Sequence, residues 1–99
     1  MHSDEFRTTL SAATPPSGLN DALEALWWDG KNDWNRAHQC AQRDDGPDGC
    51  AVHAYLHRKE GDLSNARYWY ARAGRSVHSG SLTAEWDDLV REFLEETQE

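Results

Sequence analysis

The sequence predicts an all-α protein: two stacked antiparallel helical hairpins closed by a C-terminal capping helix. Three observations carry that expectation. Apolar residues recur at helical spacing in five segments, and no segment alternates as a strand with paired turns. Asp or Ser stands ahead of three of those segments, where a helix needs an acceptor for its free N–H groups. A partial internal repeat links the two hairpins: Ala25 matches Ala54, Asn32 matches Gly61, Asp33 matches Asp62, Ala37 matches Ala66 and Arg43 matches Arg72, an offset of 29 residues.

Residues 1–17 end in ATPPS and read as a flexible N-terminal arm with a short ordered piece around residues 6–10. Residues 18–99 are expected to form a single helical domain. Leu19, Ala22, Leu23, Leu26 and Trp27 make the first apolar stripe. Residues 30–32 end that helix, and Asp33 caps the next, whose buried face holds Trp34, Ala37 and Ala41 with Cys40 at its edge. The turn formers RDDGPDG break the pattern. A third helix runs from about Asp48 to Glu60, with Ala51, Val52, Tyr55 and Leu56 apolar. Gly61 supplies a left-handed residue after it. Asp62 then caps a helix that turns Ala66, Trp69, Tyr70 and Ala73 inward. After the loop at 74–80, Ser81 caps the last helix. Leu82, Trp86, Leu89, Val90, Phe93 and Leu94 form its inner face, and its other face is acidic.

Charge narrows the function classes. The 99 residues carry a net charge of −8, distributed as −5 over residues 1–49, +3 over 50–80 and −6 over 81–99. Such acidity argues against nucleic acid or an anionic membrane as partner. No apolar run reaches the length of a membrane span. MHSDEFRTTL lacks the basic and apolar regions of a secretory signal, so a cytoplasmic protein with two reduced thiols, Cys40 and Cys50, is expected.

Gly61-Asp62-Leu63 followed by Ala66, Tyr70 and Ala73 is similar to the turn and second helix of a tetratricopeptide-like repeat. Asn32-Asp33-Trp34 and Ala37 fit the same pattern, with Ala41 where the second unit has Tyr70. The offset is shorter than the usual tetratricopeptide period, which favours a tetratricopeptide-like or Sel1-like hairpin geometry over a regular array. The longer string HAYLHRKEGD, then NA, YWY and RAG, resembles a family of small, uncharacterised bacterial and fungal proteins over about residues 19–94. That resemblance implies no activity and no catalytic residue. The tetratricopeptide-like resemblance implies recognition of a protein or peptide, by analogy of fold.

The leading expectation is therefore a non-enzymatic domain that binds a protein or peptide. No nucleophile elbow, triad or phosphate loop is present, and no cofactor is expected. Tyr55, His57, Arg58, Tyr68, Arg72 and Arg75, with Trp28 added, combine aromatics and positive charge within an acidic chain, which favours acidic segments. Arg58 and Arg72 can bracket Tyr68 as a carboxylate or phosphate clamp. The plainer alternative pairs these cations with the acidic last helix or leaves them solvated. A further alternative is a homodimer whose exposed aromatics meet across a two-fold axis.

The alternative in another class is metal or small-molecule binding. His53 and His57 are four residues apart on one helix, with Cys50 three before and Glu60 three after. Imidazole, thiolate and carboxylate all ligate borderline metals. H-x3-H supplies only two ligands, and the plainer reading is an interfacial pair hydrogen-bonded to polar neighbours.

Overall fold

Capping side chains fix most helix boundaries. The computed structural model describes residues 1–97, so the last two positions of the expected 18–99 domain lie outside the described residues. Six helices follow one another: α1 (Ser3–Thr9), α2 (Asp21–Gly30), α3 (Trp34–Gln42), α4 (Pro47–Lys59), α5 (Leu63–Ala73) and α6 (Leu82–Glu96). No strand occurs among the described residues. The expected caps hold: Asp33 accepts from the Arg36 N–H at 3.1 Å, Asp62 from Asn65 at 3.3 Å and Ser81 from Ala84 at 3.0 Å. Helix α2 begins at Asp21 rather than Leu19, because the Asn20 side chain accepts from the Leu23 N–H at 2.9 Å and so caps it.

Two hairpins, α2/α3 and α4/α5, turn through matched left-handed residues. Asn32 has φ +63° and Gly61 φ +89°, the conformation that lets each chain reverse within a few residues. Helix α4 starts at Pro47, and the preceding loop lies so close that a Cβ on Gly49 would meet the Asp44 carbonyl oxygen at 2.0 Å. A side chain at position 49 would push that loop off the helix.

Helix α4 is the axis of the molecule. It packs against α2, α3, α5 and α6, and every residue from 49 to 57 is buried. Apolar side chains of α2 and α6, including Leu23, Leu26, Trp27, Val90 and Phe93, meet Val52 and Leu56 in the main core. Complete burial of each such side chain contributes about 1.5–3 kcal/mol before entropy is counted. A smaller cluster, Ala54, Ala66 and Tyr70 with Trp69 against it, seals α4 to α5.

The expected flexible arm contains a docked helix. Phe6 is fully buried and packs on Trp86, with ring centroids 5.9 Å apart. The Trp27 indole donates to Thr9 Oγ1 at 3.1 Å, and Lys31 Nζ donates to the Leu10 and Ala12 carbonyls. One buried phenyl ring and these bonds outweigh the polar composition around them.

Candidate metal centre

Because α4 is enclosed, polar side chains along it must find partners inside the protein. Two carboxylates on neighbouring helices meet one side of it. Asp29 of α2, 4% exposed, accepts from the Tyr55 hydroxyl at 2.6 Å and from Lys59 Nζ at 2.8 Å. Glu85 of α6, 3% exposed, accepts from Arg58 at 2.7 Å and from the Tyr70 hydroxyl at 2.6 Å. Arg58 also donates to the Gly80 carbonyl. Burial and these carboxylates push both tyrosine hydroxyls far above their ordinary pKa, so they remain donors.

These contacts redistribute the expected partner surface. Tyr55 lies in the core instead of on the surface. Arg58 turns away from Tyr68 to brace α6, and Arg75 pairs with Glu92 at 2.7 Å. Both arginines thus follow the plainer alternative, ion pairs to the acidic last helix. Trp28 is half-buried, edge-on to Trp27, with the Arg36 guanidinium 4.5 Å above its ring. Tyr68 and Arg72 alone of that set are exposed, and Arg72 reaches the Tyr68 hydroxyl at 3.3 Å.

The opposite side of α4 carries His53 and His57, 5% and 6% exposed. A third imidazole joins them: His38, half-buried on α3, places Nε2 3.0 Å from Nε2 of His53. One ligand-capable nitrogen from each of the three rings lies within 4.8 Å of the other two. The α3–α4 packing creates this convergence, which the spacing within α4 alone does not reveal. Three His residues in facing helices were the available signal, and the order of packing was needed to use it.

Aromatic rings hold the cluster in place. Trp34 stacks on His38 at 4.8 Å between centroids, and Trp69 stacks on His53 at 3.8 Å. His57 Nδ1–H donates to Glu60 Oε1 at 2.6 Å, while its Nε2 lies 3.5 Å from the Asn65 amide. Burial, with the neighbouring His38, His57 and Arg72 charges, lowers the pKa of His53 to about 4. Burial, with the His57 charge, also lowers that of His38. Both rings are therefore neutral near pH 7, and the 3.0 Å contact pairs one N–H with one lone pair.

Cys50 does not join the imidazoles, although it shares their helix. Its thiol contacts the Asp45 carbonyl at 3.8 Å and is buried. Cys40 is buried beside Glu24, and burial and that carboxylate push its pKa up to about 12. Glu60 stays with the cluster as the partner of His57. A cavity of about 210 Å3 opens beside His53 and Trp69, bordered by Asp44 and Asp45. No helix among the described residues is long and apolar enough to cross a membrane. No family model, curated protein or solved structure matches this chain.

Proposed function

We propose that this protein is a non-enzymatic binding protein of tetratricopeptide-like hairpins that holds one divalent transition-metal ion through His38, His53 and His57. The carrying observation is the convergence of three imidazole nitrogens from two helices within 4.8 Å. Neutral imidazole is the ligating form, and the lowered pKa values of His38 and His53 keep it available. At Zn–N distances of about 2.0–2.1 Å, two nitrogens on one tetrahedral ion stand about 3.3 Å apart. The His38–His53 separation of 3.0 Å is close to that value. The His57 ring closes the remainder by rotating. With Nδ1 held by Glu60, its Nε2 is the nitrogen left to ligate, and the carboxylate fixes the ring's orientation. Burial of both cysteine thiols supports a binding role over thiol catalysis.

Calorimetric titration of tag-free protein with Zn2+ and Ni2+ tests this reading. One ion per chain is expected, with binding lost in His38→Gln and His53→Gln and retained in His78→Gln. Cu2+ should also quench part of the tryptophan emission, because Trp34 and Trp69 stack on two ligands. No heat with any of the three ions, or equal binding by His53→Gln, overturns it.

A second reading rests on a separate observation. Arg67 and Arg72 on the outer face of α5 make no ion pair among the described residues, and Tyr68 between them is exposed. We infer that this face docks an acidic peptide segment of another protein. A fluorescent poly-glutamate peptide should bind at low salt and lose affinity in Arg67→Ala/Arg72→Ala. Unchanged affinity in that variant refutes it.

A further inference from the structure

A second cleft lies on the side of α4 away from the imidazoles, and neither reading above uses it. It has a volume of about 500 Å3, within the range of small-molecule sites. Leu10, Tyr55, Leu82 and Trp86 supply its apolar walls, so the C-cap of α1, helix α4 and helix α6 all contribute. Two ion pairs border it. One is Asp29 with Lys59 at 2.8 Å, and the other is Arg7 with Asp87 at 2.9 Å. The four lining charges cancel, and the exposed Asp4, outside the cleft, also pairs with Arg7 at 2.8 Å; an anion or a cation entering alone leaves one lining charge worse paired than before.

We propose that this cleft binds a zwitterionic small molecule with an apolar body, the chemistry of an apolar or aromatic α-amino acid. The Arg7–Asp87 pair is partly solvated, with side chains 41% and 35% exposed, and such pairs are weakly held. A ligand carboxylate therefore competes for Arg7 while the ligand ammonium takes Asp87. The Asp29 carboxylate, buried and held by Tyr55 and Lys59, stays fixed and keeps the far wall rigid. The apolar body then covers the half-buried Leu82 and the small edge of the otherwise buried Trp86 that lines the cleft. This site is separate from His38, His53 and His57, so it stands or falls independently of metal binding.

Three probes sharing an indole ring separate the charge classes: L-tryptophan, tryptamine and indole-3-propionate. They are titrated into the 15N-labelled full chain with EDTA present, following the Trp86 indole N–H and the Thr83 and Asn32 amides. L-tryptophan should give saturable shifts at all three. Tryptamine and indole-3-propionate should bind about tenfold more weakly, each having lost one charge-assisted contact. Thr83→Phe, at an exposed position of the mouth, should abolish the shifts while the helical circular dichroism is kept. Should Thr83→Phe fail to fold, Asp87→Asn is the replacement and should remove the preference for L-tryptophan over indole-3-propionate. The proposal is overturned by equal affinity for the three probes, by no saturation up to about 10 mM, or by a folded Thr83→Phe or Asp87→Asn that behaves as wild type.

Discussion

The two sides of α4 solve the same burial problem in opposite ways. On one side, Tyr55, Arg58 and Lys59 each donate to one of the carboxylates Asp29 and Glu85. On the other, His53 and His57 meet the imidazole of His38. The first arrangement is complete: each buried carboxylate has a cation and a hydroxyl, which is how a low-dielectric interior tolerates it. The second collects imidazole lone pairs, with Glu60 hydrogen-bonded to His57 and Asp62 close to both, and none of the three rings has a cation and a carboxylate to itself. A structural brace gains nothing from three rings that suffer when any of them is charged. A metal ion does, since it needs several neutral nitrogens at one point.

The comparison breaks first on the carboxylate side. Glu85→Ala leaves Arg58 without its counter-charge and Tyr70 without an acceptor, both at the α4–α6 and α5–α6 junctions. The expected loss is about 3–5 kcal/mol, as for one partner removed from a buried pair. Urea denaturation followed at 222 nm measures it. A loss below about 1 kcal/mol would make Glu85 no more than a surface residue and erase the distinction between the two faces.

Acid tests the imidazole side with a somewhat smaller effect. The unfolded His53 ring takes up its proton near its ordinary value of 6.5, and the folded ring only near about 4. Across that window the unfolded state binds more protons, so stability rises with pH. The contribution is fully present above 6.5 and is lost as the pH falls through 4. Its size is roughly 3 kcal/mol. His38, shifted the same way, adds to it. Carboxylates titrate in the lower part of the same range, so the informative quantity is the difference between wild type and His53→Gln in metal-free buffer. Parallel stability curves for the two proteins would show that His53 titrates as a solvated ring.

Much of this fold was legible in the sequence because local rules agree with the tertiary structure. Asp33, Asp62 and Ser81 cap the helices they precede, and Asn32 and Gly61 adopt the left-handed turn that their shared position in the repeat implied. Helix α1 was less legible, since its docking depends on Phe6 finding Trp86 eighty residues away. The site was legible only in half. Spacing on α4 placed His53 and His57 together, but the imidazole of His38 on α3 has no fixed sequence relation to them. Tyr55 and Arg58 misled for a related reason. Polar tips on a helix suggest a solvent face, and only the acids brought by α2 and α6 turn them inward.

The smallest expected effect sharpens the comparison most, because it separates sequence spacing from spatial convergence. Cys50, His53, His57 and Glu60 form one stripe at intervals of three and four residues, and a metal site read from spacing alone includes the thiolate. The thiol instead faces the Asp45 carbonyl, outside the imidazole group. Cys50→Ala should therefore leave Zn2+ affinity within about twofold of wild type, while costing about 1 kcal/mol for the sulfur volume removed from a packed site. A thiolate ligand would behave otherwise: its loss would weaken Zn2+ binding by orders of magnitude, and Co2+ would show a thiolate-to-metal charge-transfer band in the near ultraviolet. If the band appears and vanishes in Cys50→Ala, α4 supplies its ligands along a stripe. If Co2+ binds without it, the ion sits between two helices, and the packing of α3 on α4 makes the site.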